Sequence, residues 1–514
     1  MKLAAMRRGS AVALVVAALA GVPPASAWAT APASDAAGSV SAGYQPPSIR
    51  WGACRNVFLR TSGARCGFLV VPLDYARPQG RKIKIAVSRI RHTVDRSRYQ
   101  GVMLVNPGGP GGSGLTRSTL GDAVPRDAGA VYDWIGFDPR GVGASRPALR
   151  CTRSFFTAPR PPYRPSSPAV EAAWVRRAKA FAAACARTST QRSLLAHVRT
   201  VDSARDMESL RKALGQRRIN YYGFSYGTYL GQVYATRYPN RVRRFVWDAT
   251  VDPRRVWYRS NQDQDRAFQR TFTIYFRWLA RHHDLFGVGA TPAAVRATYL
   301  RTVRALQAAP AKGTLGGDEL TDVFTNAGYY VYNWIEIAIA YSTYVENRDP
   351  SGLIALYREF SVSANNYAMY LATQCTDARW PRSQTRLDAD DRALDRRFDY
   401  FTWANARFNG PCAYWHAPGH TAVHVSGRKV HAKILMIGET FDAATPFRGS
   451  LAVRSLFPSA SLIEGKNGST HAGSLGGVAC TDDAVAAYLL HGTAPRRLPG
   501  VRSDRTCPPE PQPV

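Results

Sequence analysis

Ser225 stands at the centre of Gly223-Phe224-Ser225-Tyr226-Gly227, a G-x-S-x-G spacing whose glycines let a strand turn sharply into a helix and hold the serine proud of the turn. A serine hydroxyl attacks a carbonyl only when a base takes its proton and an acid orients that base. In a strand-turn-helix setting the acid and then the histidine are expected further along the chain. Asp442 follows the apolar run KILMIGE in the turn ETFDAATPF, and His471 lies beyond ASLIEG in GKNGSTHAGS. Ser225, Asp442 and His471 are therefore the expected nucleophile, orienting acid and base. Glu439 is placed at a strand end, where backbone packing is expected, and Asp248 is an alternative site for the acid. His416, His420, His424 and His431 precede Asp442 and, with His491 at a helix end, read as structural or exposed.

The stretch VMLVNPGGPGGSG, Val102 to Gly114, contains G-x-G-x-x-G from Gly109, with Asp133 and Asp138 further on. A dinucleotide site there would need N–H groups that Pro107 and Pro110 lack, and no Lys-Ser or Lys-Thr follows to make a Walker loop. Acyl transfer instead needs a second backbone N–H aimed at the developing oxyanion, from a loop after an earlier strand. Gly109 and Tyr226 are the expected pair of donors, and neither a metal nor an organic cofactor is needed.

The elements that must hold these residues are legible as short runs. CGFLVVPLDY, KIKIAVSRI, GVMLVNPG and YDWIGFDPRG read as strands closed by turn residues. TVDSARDMESLRKALG has helical spacing and ends in Gly215, and it delivers the chain to INYY, the elbow and the helix TYLGQVYATRY. After RRFVWDATVDP the texture changes, from about 254 to 427, to long amphipathic stretches such as YYVYNWIEIAIAYSTYVE. AKILMIGET and ASLIEG restore the strand pattern, and DDAVAAYLLHG a helix. The expected fold is an open, mostly parallel α/β sheet flanked by helices, with a mainly helical lid inserted. The boundaries are a core over 46–253, a lid over 254–427 and the rest of the core over 428–514.

Residues 1–27 read as a signal peptide: a cationic start, the apolar run AVALVVAALAGV and an A-x-A site at Ala25 and Ala27. Residues 28–45, rich in Ala, Ser and Pro, read as an unstructured lead-in. No later run is long and apolar enough to span a bilayer, so the expected location is extracellular. The eight cysteines fit an exported chain; they fall into neighbouring couples, Cys54 with Cys66, Cys151 with Cys185, Cys375 with Cys412 and Cys480 with Cys507. No C-x-x-C spacing suggests zinc. The net charge of +32 is scattered in ones and twos, which argues against a nucleic-acid module and leaves association with anionic envelope polymers open.

With NPGGPGGSG, GFDPRGVGAS, GFSYGTYLG, ETFDAATPF and His471 in order, the chain resembles the secreted tripeptidyl aminopeptidases of the α/β-hydrolase superfamily, relatives of prolyl aminopeptidase. The resemblance implies an α/β-hydrolase fold with a helical cap, and cleavage of short peptides from a free N-terminus through an acyl-enzyme on Ser225. It departs at Thr470, where the family usually has glycine beside the histidine, and at DATVDP, where the family's strand end is often followed by Gly-Val-Val-Asp-Pro. A substrate ammonium calls for a carboxylate; Glu336, within YNWIEIAIAY, and Asp377, after Cys375, are the candidate binding residues, the alternative for Glu336 being that it faces solvent or caps a structural arginine. An esterase or amidase for a small metabolite with the same triad, and a non-catalytic envelope-binding protein, are the rival readings.

Overall fold

Alternation in KIKIAVSRI and continuous apolar runs such as VMLVN are what a sheet solvated at its edge and covered on both faces at its centre requires. The computed structural model describes residues 44–514 apart from Ala158 and Pro159. The expected signal peptide and nearly all of the lead-in lie outside the described residues. Tyr44, at the end of that lead-in, is tied down: its hydroxyl donates to Val70 O at 3.0 Å and its own carbonyl accepts from Lys212 Nζ at 2.9 Å.

Among the described residues ten strands form one sheet: β1 Gly52–Ala53, β2 Arg65–Pro72, β3 Lys82–Ile90, β4 Val102–Asn106, β5 Asp133–Phe137, β6 Ile219–Phe224, β7 Val242–Asp248, β8 Ile434–Glu439, β9 Ala460–Gly465 and β10 Arg505–Cys507. Their order is β1-β2-β3-β5-β4-β6-β7-β8-β9-β10. The first three pair antiparallel and the run from β5 to β10 is parallel. Every residue of β4, β5, β8 and β9 is buried. The chain leaves β4 for β5 on one side and reaches β6 on the other, so strand order reverses between β4 and β6. In open α/β sheets such a switch opens a crevice at the carboxyl ends of the strands.

The helices that matter below are α1 (Thr200–Ala213), α2 (Tyr226–Arg237), α3 (Tyr258–Arg281), α4 (Gly317–Tyr329), α5 (Trp334–Asn347) and α6 (Ala364–Asp377). From α3 to Asn409 the chain between β7 and β8 is a helical layer over the carboxyl ends of the strands. In α4, Leu320, Val323, Phe324 and Ala327 are buried on one face. Its start is fixed by Glu319, whose side chain accepts the Gly316 N–H at 2.9 Å, and Asp318 and Glu319 suit the positive end of the helix dipole. A second segment, between β5 and α1, packs on this layer through Arg160 to Glu319 at 2.7 Å and Arg407 to Glu171 at 2.6 Å.

Four disulfides are present, Cys54–Cys66, Cys151–Cys185, Cys375–Cys412 and Cys480–Cys507. No helix among the described residues is long and apolar enough to cross a membrane.

Candidate active site

Four strand ends deliver the chemistry-bearing residues to one crevice. At the end of β6, Ser225 has φ 54° and ψ −124°, a left-handed backbone that a non-glycine residue adopts only under strain. The strain is held by Ser225 N–H donating to Asp248 O at 3.0 Å and by Thr228 N–H donating to Ser225 O at 2.9 Å. The two glycines of the pentapeptide have steric reasons. A Cβ on Gly223 would lie 2.6 Å from Gly227 O, and one on Gly227 would lie 2.6 Å from Asn106 O.

At the end of β4 the loop Asn106-Pro107-Gly108-Gly109 lies against that turn. Gly108 has φ +96°, and a Cβ there would sit 2.9 Å from Ser225 Cβ and 3.1 Å from Tyr226 N. Only glycine permits both the backbone shape and the approach. Gly109 and Ser225 line the same cavity. Among the described residues the N–H groups of Gly109 and Tyr226 have no internal acceptor; for Tyr226 this follows from its place as the first residue of α2.

Asp442 lies beyond β8 and His471 beyond β9. His471 Nδ1 donates to both Asp442 oxygens, at 2.9 and 3.0 Å, which leaves Nε2 as the proton acceptor of the neutral ring. The carboxylate also receives Ala444 N–H at 2.9 Å, Thr445 N–H at 3.0 Å and Thr445 Oγ1 at 2.7 Å. Burial opposes a charged imidazole, but the Asp442 charge and its hydrogen bond, with Asp248 behind, hold His471 above its ordinary value. Asp442 and His471 are thus in direct contact. Ser225 shares their cavity without a hydrogen bond to His471 in this conformation, a spacing common in unliganded hydrolases.

Asp248 is engaged elsewhere: its carboxylate takes Ser474 Oγ, Ser474 N–H and Gly473 N–H. Burial pushes it up to about 6, and its contacts brace the loop after His471. From the lid side, His471 N–H donates to Tyr329 O at 2.7 Å, and Thr470 Oγ1 accepts the Val331 N–H at 3.4 Å. The threonine that departs from the family pattern therefore joins the histidine loop to the lid.

The cavity measures about 580 Å³ and is walled by aromatic rings, Tyr329, Tyr330, Trp257 and Phe408 among them. Neither carboxylate expected from the lid reaches it. Glu336 is exposed on the outer side of α5, with Glu359 the charge it senses. Asp377 is buried behind the wall, accepting Thr200 N–H at 2.7 Å, Thr200 Oγ1 at 2.6 Å and Trp257 Nε1 at 3.2 Å. Thr200 Oγ1 in turn meets Tyr226 OH at 2.9 Å, so Asp377 supports two rings of the wall. The acidic group among the lining residues is Asp322 on α4. Its oxygens accept Arg160 Nη2 and Tyr163 OH, each at 2.8 Å, and 32% of its side chain is exposed. Glu319 takes Arg160 Nε at 2.7 Å and Asp318 takes Tyr163 N–H at 2.8 Å. Three carboxylates surround one arginine, and burial raises both Asp318 and Asp322 above the ordinary carboxylate range. The pattern D-E-x-x-D at 318–322 was the signal available in the sequence, one helical turn of acid at the start of a helix.

The sheet, the elbow and the buried acid–histidine pair define the class, and the chain belongs to the alpha/beta hydrolase fold family, whose pattern matches residues 101–464. It is 37% identical over 479 residues to tripeptidyl aminopeptidase of Streptomyces lividans, spanning 90% of this chain and 87% of that protein. Serine protease Hip1 of Mycobacterium tuberculosis is 28% identical, over 87% of this chain and 89% of its own. Carboxylesterase B of the same species is 31% identical with the same coverage.

Proposed function

We propose that the chain is a serine aminopeptidase that releases tripeptides from free N-termini, with Ser225 as nucleophile, His471 as base and Asp442 as orienting acid. His471 Nε2 removes the Ser225 hydroxyl proton as Oγ bonds to the scissile carbonyl carbon. The carbonyl oxygen takes the negative charge and is held by the N–H groups of Gly109 and Tyr226. Collapse breaks the C–N bond as His471 passes its proton to the leaving amine. Water, deprotonated by the same histidine, then splits the ester and frees the peptide acid.

The observation that carries the tripeptide reading is the placement of Asp322. It lies seven residues before Tyr329, whose ring is 5.7 Å from that of His471, on the helix face that also presents Thr325 and Asn326 to the cavity. Seven residues of helix span about 10 Å, and three extended peptide residues span about the same. A single residue reaches only about 3.5 Å. A free ammonium three residues from the scissile bond thus meets Asp322, while acetylation removes the charge that this site is built to receive.

The test is a series of one-, two- and three-residue p-nitroanilides with free and acetylated N-termini, beside simple esters. Cleavage strongest on the free tripeptide amide is expected; indifference to acetylation, or activity on esters alone, would overturn the reading in favour of an esterase. The four disulfides support export. We infer that residues 1–27 direct it and are removed, and that the positive charge draws the enzyme to anionic envelope polymers.

A further inference from the structure

Glu439 ends β8, three residues before Asp442, and its side chain is buried in a chamber formed by the loop that carries His471. A Cβ on Gly465, Gly468 or Gly473 would run into its carboxyl group, so three glycines of one loop curve around this one side chain. The two loops are laced together above it: Thr440 N–H donates to Gly465 O at 3.1 Å, Phe441 N–H to Gly468 O at 2.7 Å, and Asn467 N–H to Thr440 Oγ1 at 2.9 Å. The C-terminal segment closes the chamber. Glu510 N–H donates to Glu439 Oε1 at 3.2 Å, and further along Pro513 O accepts the Trp278 indole of the lid at 2.8 Å.

Two neighbouring carboxyls are thus treated in opposite ways. Asp442 receives His471, two backbone N–H groups and a hydroxyl. Glu439 receives one long backbone contact, and Oε2 has no partner among the described residues. The leading charges that face it, Asp248 from β7, Asp442 from its own loop and Glu510 from the C-terminal segment, are negative. A carboxylate cannot be held there without a cation or a set of donors.

Resting on the assignment of Asp442 and His471 above, we propose that Glu439 is a positioning residue that keeps its proton at neutral pH, and that this uncharged carboxyl fastens the Asp442 loop to the His471 loop. Burial, reinforced by Asp248, Asp442 and Glu510 against a single backbone hydrogen bond, pushes it up to about 9. When the proton leaves, the charge draws the side chain towards water, and the two laced loops and the C-terminal segment that enclose it must part to let it out. The Asp442–His471 pair then loses its alignment and turnover falls, so Glu439 sets the alkaline limit of the enzyme.

The experiment compares kcat/KM from pH 6 to pH 11 for wild type and Glu439→Gln, which supplies a permanently uncharged amide of the same shape. Expected are activity within about threefold of wild type at neutral pH, as for other near-isosteric changes, and an alkaline descent displaced upward by at least one pH unit. An unchanged descent, or a large loss at neutral pH in a folded variant, overturns the proposal. The infrared carbonyl band of a protonated carboxylic acid gives a second readout: the difference between wild type and any folded Glu439→Gln protein separates the Glu439 band from those of other buried acids such as Asp265 and Asp318, and this difference band must be present at pH 7 and fade around pH 9. Its absence at pH 7 also overturns the proposal. Labelling of wild-type Ser225 by a fluorophosphonate checks the underlying hydrolase reading separately, because an unreactive serine would fail that reading whatever Glu439 does.

Discussion

Moving the cavity carboxylate one helical turn tests the length argument more sharply than deleting it. In Asp322→Asn/Asn326→Asp the acid passes to the next cavity-facing position of α4. Four residues of helix carry it about 6 Å closer to His471, which is nearly two residues of extended peptide. The preferred acyl segment should shorten from three residues towards one. The single change Asp322→Asn sets the scale. Its amide can still accept from Tyr163 OH or Arg160, and Arg160 keeps Glu319, so the wall remains intact. A hydrogen bond to a charged group is worth about 1.5–3 kcal/mol, and about 1.4 kcal/mol is a factor of ten. Free tripeptide p-nitroanilides should therefore lose about 10- to 150-fold in kcat/KM, while N-acetylated ones change little. Steady-state kinetics on the free and acetylated series provide the assay. Equal losses on free and acetylated substrates, or a double variant with undiminished preference for three residues, would refute both the anchor and the ruler.

Three further outcomes are expected. Ser225→Ala should lower kcat by about 10⁵–10⁶ while product peptides still bind, measured by turnover beside calorimetry; retained turnover would remove Ser225 from the mechanism. Thr445→Val deletes the hydroxyl that donates to Asp442 at 2.7 Å, leaving a more basic carboxylate. The His471 imidazolium should be further stabilised, and the acid limb of kcat/KM should move to higher pH, whereas an unmoved limb would deny the contact any role. Glu439 also makes a stability prediction. Its folded-state value, raised to about 9, exceeds the unfolded value of about 4.3, so its contribution is fully present below about pH 4.3 and is lost as pH climbs to 9, at up to about 1.4 kcal/mol per pH unit. Urea unfolding should show this slope in wild type and a shallower one in Glu439→Gln; parallel slopes would contradict a buried, protonated glutamic acid.

What could be read in the sequence was whatever short-range sterics or chain order dictates. The elbow is such a case, because its glycines are set by contacts with Gly227 O and Asn106 O that any such turn makes. The lid yielded its helical texture but not its working face. In IEIAIAY both sides of the helix are apolar, so the sequence alone embeds Glu336 among apolar neighbours. In the fold Ile337, Ala338 and Tyr341 turn inward while Ile335, Glu336 and Ile339 face out. Asp377 was expected at the cavity, yet it satisfies Thr200 at the start of α1, 177 residues away in sequence. Asp322 carried a local pattern, but its value comes from Arg160 and Tyr163, brought in by a segment with no sequence mark of belonging to the lid. Gly108 was hidden among neighbouring glycines, and only its approach to Ser225 distinguishes it.

One helix, α4, serves both ends of the proposed reaction. Its last residue, Tyr329, accepts the His471 N–H through its carbonyl, and about two turns earlier in the cavity wall stands Asp322. Its far side is packed into the lid core through Leu320, Val323 and Phe324, each fully buried. A helix held in this way transmits a displacement along its length rather than absorbing it. On the proposed reading, binding of an ammonium at Asp322 and alignment of the base at Tyr329 should therefore be coupled. A substrate too short to reach Asp322 loses binding energy that would otherwise hold the carbonyl against Ser225 and steady His471, and binding energy from a remote group is expressed in the transition state. Length selection should accordingly appear in kcat as well as in KM. That separates a measuring helix from a pocket that only excludes ligands of the wrong size, in which KM alone would change.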